Sequence, residues 1–157
     1  MFQIFWLLFH FLIKTTKQII KDGVYNIILN KNNYLNYQDN NLQISLSEKF
    51  EDKSNFRIKL SSPNFYLIQH VETNLTLTLS SSNLKLIEDK DNEAEWNFIE
   101  SNDKYSIQNK KKCYIRYKYQ KLICDNNSLK YASKFNLIKI YEEVDSSKKD
   151  LDLIYLA

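Results

Sequence analysis

Among its 157 residues the chain has one glycine, one proline, one methionine, two histidines and two cysteines. Each scarcity removes a class of chemistry. A single glycine cannot build a glycine-rich phosphate loop. His70 is the one histidine outside the apolar N-terminus, so with two cysteines the three or four ligands of a zinc site are missing. The same lone histidine leaves no Ser-His-Asp ordering, and the carboxylates concentrate in loops. No catalytic constellation is visible, so the chain reads as a non-enzyme with no cofactor. With glycine scarce, turns fall to Asn, Asp and Ser, of which Asn and Asp best tolerate left-handed backbone.

What is abundant is tyrosine (11), phenylalanine (9), lysine and asparagine, with 43% hydrophobic and 26% charged residues. That balance is globular, and the length suits one domain with one core. The first residues stand apart. Phe2 to Ile13, FQIFWLLFHFLI, is an almost unbroken apolar run followed by Lys14, Lys17 and Lys21. It is too short to span a bilayer but fits the hydrophobic region of a secretory leader. No basic residue precedes it and no small-x-small site follows. A buried or amphipathic helix is the alternative, yet aromatics occupy every side. Residues 1–20 are therefore expected to form a helical leader, cleaved or kept as an anchor, and to be the chain's only membrane contact. The sequons Asn74-Leu75-Thr76 and Asn126-Asn127-Ser128 fit a secreted, extracellular or cell-surface protein.

Beyond the leader the sequence counts in forties. Tyr25, Phe65 and Tyr105 open three strand-like runs, and Ile27, Leu67 and Ile107 follow each by two residues. Leu35, Leu75 and Ile115 repeat the spacing, as do Leu42, Leu84 and Leu122 with slippage of two. Phe56, Trp96 and Phe135 head the last run of each unit. Period-two alternation within these runs, separated by Asn- and Ser-rich turns, predicts four short strands per unit. Three such units (23–62, 63–102 and 103–141) predict an all-β fold: a closed six-stranded barrel capped by three hairpins, the β-trefoil. Residues 142–157 remain as a tail.

Within the third unit, pairing Ile115 with Leu122 sets Cys113 directly opposite Cys124. The matching pairs are Leu35 with Leu42 in the first unit and Leu75 with Leu84 in the second. Opposed strand residues lie close enough for a disulfide, and an oxidising route predicts that one forms. If the leader is not secretory, Cys124 is a small buried hydrophobe and Cys113 a free thiol.

The third unit, KCYIRYKYQKLICDNNSLKYASKFNLI, resembles the repeat of ricin B-type lectin domains. There a Cys opens the second strand, another closes the third and an aromatic heads the fourth. The resemblance covers residues 23–141 and implies the trefoil fold, a secreted context and glycan binding. It implies no galactose pocket. The family's sugar-binding Asp is replaced by Asn36, Thr76 and Arg116, and the Gln of its Gln-x-Trp motif by Ser54, Ala94 and Ser133.

Charge is segregated. The third unit has ten cations against two carboxylates, net +8, whereas the second is net −5. Arg116, Lys118 and Lys121 interleave with Tyr117 and Tyr119, and Asn126 and Asn127 follow. Ring faces suit sugars and cations suit acidic groups, so these seven residues form the candidate ligand site. The expected function is a secreted lectin-like module recognising carbohydrate, including acidic glycans, on a cell, spore or host surface. A protein-binding trefoil without sugar affinity is the alternative. Nucleic acid is disfavoured, because the whole chain carries only +3. The acidic stretch Glu88 to Glu95 reads as a solvated face.

Overall fold

The computed structural model describes residues 19–142, apart from 39–40, 49–51, 89–91 and 127. The apolar leader and the tail beyond Glu142 lie outside the described residues. Twelve strands follow in the predicted order. The first unit holds β1 (Gly23–Leu29), β2 (Asn33–Gln38), β3 (Asn41–Ser47) and β4 (Asn55–Ser62). The second holds β5 (Phe65–His70), β6 (Thr76–Ser80), β7 (Asn83–Ile87) and β8 (Trp96–Ser101). The third holds β9 (Lys104–Asn109), β10 (Tyr114–Lys118), β11 (Lys121–Asp125) and β12 (Phe135–Tyr141).

Antiparallel pairings close a ring through β1, β4, β5, β8, β9 and β12, and β12 returns to β1. Hairpins β2–β3, β6–β7 and β10–β11 stand on that ring, so the molecule is a β-trefoil. Closure leaves no free barrel edge. Phe56, Trp96 and Phe135 are completely buried and carry the threefold relation through the core. The one glycine, Gly23, lets β12 approach closely: an added Cβ would lie 2.9 Å from Lys139 Cε and 3.0 Å from the Tyr141 carbonyl.

Two sequence-derived alignments are corrected. Ladder pairing makes Tyr66, not Phe65, the counterpart of Tyr25 and Tyr105, because Tyr66 faces Trp96 as Tyr105 faces Phe135 and Tyr25 faces Phe56. Hence Ile27, Ile68 and Ile107 are the buried triplet, whereas Leu67 is only half-buried. A register shift between Leu60 and Ser62 absorbs the odd residue at the β4–β5 join, where a one-residue slip exchanges the faces of the strand.

The hairpin registers also differ. Ile115 faces Cys124 and Tyr117 faces Leu122. Leu77 faces Leu86, and Leu35 faces Leu46. Each shift is even, so the same side chains still point inward. The register follows the tips: Ser81–Ser82 and Tyr119–Gln120 are two-residue turns with all four φ values positive, from 48° to 68°. That is the hairpin geometry compatible with strand twist.

Candidate functional site

The third hairpin is held from several sides. Cys113 precedes β10 and reaches Cys124 diagonally, forming a disulfide with Cα atoms 5.4 Å apart. The loop it closes is worth roughly 2–3 kcal/mol in the chain-entropy account. Ser133, at the position of the family's motif glutamine, laces the free edge of β10. Its hydroxyl accepts from the Tyr117 N–H at 2.8 Å, and its own N–H donates to the Ile115 carbonyl at 3.2 Å.

Alternation along β10 divides the predicted residues between two faces. Arg116 and Lys118 share one face, Tyr117 the other, and Tyr119 occupies the turn. Lys118 lies opposite Lys121 on the ladder, and both are exposed. The Lys118 ammonium sits 4.8 Å from the Tyr119 ring centre. Arg116 is engaged internally: Nη1 donates to Asp125 Oδ2 at 2.7 Å, and its guanidinium lies 5.7 Å from the Tyr131 ring. Lys130 approaches that ring too, at 5.8 Å. Asn126 is exposed and lies apart from the tip, in a cleft beside β7, while Asn127 is outside the described residues.

Sequence reasoning missed Tyr131, 57% exposed, together with Lys130 and Asp125. Tyr131 lies in the short 3-10 helix Leu129–Tyr131, outside the alternating pattern, and only the fold brings it to Arg116. The alignment to the ricin B-type Asp position is also corrected in the second repeat. Hairpin pairing aligns Thr78, not Thr76, with Asn36 and Arg116. Thr78 is buried.

The lysine cluster is divided as well. Lys110 Nζ meets Glu95 Oε2 at 2.7 Å, and Lys111 pairs with Glu93. Part of the acidic stretch is therefore an ion-pairing strap between the second and third repeats, not merely a solvated face. The Lys110 hydrogen bond, supported by the Ser61 and Ser62 hydroxyls, holds Glu95 below the ordinary glutamate range against the opposing effect of burial.

His70, the sole histidine of the trefoil, is structural. Its Nε2 contacts the Lys53 carbonyl at 3.0 Å, and because a carbonyl only accepts, Nε2 carries the hydrogen. Nδ1 lies 2.9 Å from the Thr73 hydroxyl, from which the neutral ring accepts. Among the described residues, no group of three or more His, Cys, Asp or Glu side chains has metal-binding geometry. Among them, no helix is long and apolar enough to cross a membrane.

No protein-family model matches the sequence, and no curated protein does. Solved structures share its fold. SeviL, solved bound to the asialo-GM1 saccharide, is 18% identical with a TM-score of 0.66, over 77% of this chain and 100% of that one. The Polyporus squamosus lectin, solved with the human-type influenza-binding epitope Neu5Aca2-6Galb1-4GlcNAc, is 13% identical with a TM-score of 0.67, over 78% of this chain and 51% of that one. ThreeFoil, a designed threefold-symmetric protein, is 11% identical with a TM-score of 0.66, over 76% of this chain and 100% of that one. At these identities the likeness establishes the β-trefoil fold.

Proposed function

We propose that this trefoil is a non-catalytic carbohydrate-binding module whose third hairpin engages acidic glycans. The observation that carries the reading is Tyr119. It is 84% exposed and held at φ 53°, a conformation in which Asn or Gly costs less. A large ring kept in water on an unfavourable backbone, with the Lys118 ammonium beside it, gives up stability for surface chemistry. Lys121 extends the cationic face, while Arg116, paired with Asp125, stands beneath the half-exposed Tyr131 ring that adds a second platform. Two of the proteins sharing the fold were solved with saccharides, one of them containing sialic acid.

The same reading includes secretion to a cell, spore or host surface. The disulfide supports it, since such bonds persist in oxidising compartments. Ile20 lies in the core and its N–H donates to the Tyr66 hydroxyl at 3.2 Å, which favours a leader somewhat shorter than residues 1–20.

A glycan array carrying sialylated, sulfated and neutral members tests the assignment. Binding to acidic members should weaken as salt rises. Tyr119→Ala should lower affinity about tenfold, and Lys118→Ala with Lys121→Ala should flatten the salt dependence. Absence of binding to every glycan at millimolar concentration overturns the proposal.

A further inference from the structure

Away from the tip, a cleft of about 710 Å³ lies where the second and third hairpins meet. Its floor is apolar: Leu79 of β6, Ile123 of β11 and the Cys113–Cys124 disulfide. Its rim is polar, with Ser82, Asn83, Glu93, Lys111, Asp125 and Asn126. The ladder pair Ile123 and Asn83 joins the two hairpins, so these walls cannot part without breaking strand pairing. The third wall, the turn that carries Lys111 and Cys113, is equally fixed. Asn109 N–H donates to the Cys113 carbonyl at 2.8 Å, and Lys111 N–H to Asn109 Oδ1 at 2.9 Å. Asn109 Nδ2 in turn donates to the Glu93 carbonyl at 2.8 Å.

We infer that this cleft is a second ligand site, separate from the hairpin tip, for an uncharged polyhydroxylated ligand the size of a mono- or disaccharide. The volume falls within the roughly 300–1,000 Å³ of small-molecule sites. A preformed cleft also loses little ordering entropy on binding. Charge selects the class. Glu93 pairs with Lys111, and Asp125 with Arg116, so the lining is balanced. An anion would face two carboxylates, and a cation would face Lys111 and an Asp125 already paired with Arg116. A wholly apolar guest would strip water from the rim amides, hydroxyls and carboxylates without replacing their hydrogen bonds. Sugar-like hydroxyls donate to the carboxylates and exchange bonds with the Asn83 and Asn126 amides. The C–H face of such a ring rests on Leu79, Ile123 and the disulfide.

Titration of the 15N-labelled full chain with lactose and cellobiose, and separately with sialyllactose, tests this in correlation spectra. The neutral sugars should move the Ser82, Asn83, Asp125 and Asn126 amides saturably and leave Tyr119 and Gln120 in place. Asn83 is exposed, so Asn83→Arg fills the cleft from outside; it should abolish those shifts while the remaining spectrum stays native. Tyr119→Ala should leave them unchanged. No saturable shift at these amides with either neutral sugar, or the same shifts in Asn83→Arg, overturns the inference. Cleft shifts that persist with lactose while sialyllactose leaves the tip unmoved count for the cleft and against only the tip.

Discussion

His70 and Asn109 show how one position serves two repeats with different chemistry. Phe56 pairs with His70 and Trp96 with Asn109, so the two are equivalent on the barrel. Each donates to a carbonyl of the 3-10 turn that precedes its partner strand: His70 to Lys53 before β4, Asn109 to Glu93 before β8. In the third equivalent position stands Leu29, which has no side-chain donor. His70 is fully buried and packs 5.4 Å from Phe56 and 5.1 Å from Tyr37, measured between ring centres. His70→Ala should therefore cost about 2–4 kcal/mol, through a cavity and an orphaned carbonyl. His70→Asn should cost less than half of that, since Asn reaches the same carbonyl one repeat later. Urea unfolding midpoints check both; equal losses would refute the donor role. The sequence marks His70 as unusual only by rarity. Its burial follows from alternation on β5, but its carbonyl partner lies 17 residues away in a turn with no periodic signal.

At the scale of the element, the hairpins separate what alternation records from what it omits. Period two assigns every inward side chain of β10 and β11 correctly, because a half-buried strand must place apolar groups on alternate residues. It does not set the register. Shifting by two keeps all faces, so Ile115 opposite Leu122 and Ile115 opposite Cys124 read alike in sequence. The turn decides, and here Tyr119 and Gln120 both adopt left-handed backbone that neither residue favours. Lys112, at φ 64°, adds another such residue just before the hairpin. Elsewhere these conformations fall to Asn, Asp and Ser, as at Asn30, Asn64, Ser81 and Asp103. Tyr119→Asn should accordingly stabilise the fold by about 0.5–1 kcal/mol while weakening glycan binding. Opposite signs in denaturation and binding assays are the expected outcome. If stability falls, the turn tyrosine is there for packing and the functional reading of the tip loses its main support.

At the scale of the molecule, repeats of opposite charge sit side by side and are bound by their own difference. The second repeat sends Glu93 and Glu95 to Lys111 and Lys110 of the third. Glu95 is held below the ordinary glutamate range chiefly by Lys110, so the folded state prefers its ionised form. Its contribution is thus complete above the ordinary glutamate value, about 4.3, and is lost as pH falls through the lower folded value. Glu95→Gln should lower stability at neutral pH and flatten the decline over that acid window. Urea midpoints measured across it provide the check, and an unchanged slope would show that Glu95 is uncoupled from folding. The same strap removes Lys110 and Lys111 from the cationic tip and places Lys111 on the cleft wall, so the net charge of the third repeat overstates what a ligand meets.

The sequence by itself determined three units of four strands, the inward face of most of them and the two cysteines that would meet. These rest on alternation and repetition, which register the dry side of each strand locally and restate it every forty residues. Tertiary structure alone decided the bulge that substitutes Tyr66 for Phe65, the approach of Tyr131 to Arg116, and the cleft between the second and third hairpins. Those depend on loops, whose residues answer to no period, and on contacts between units, where partners such as Glu95 and Lys110 are chosen by closure of the barrel.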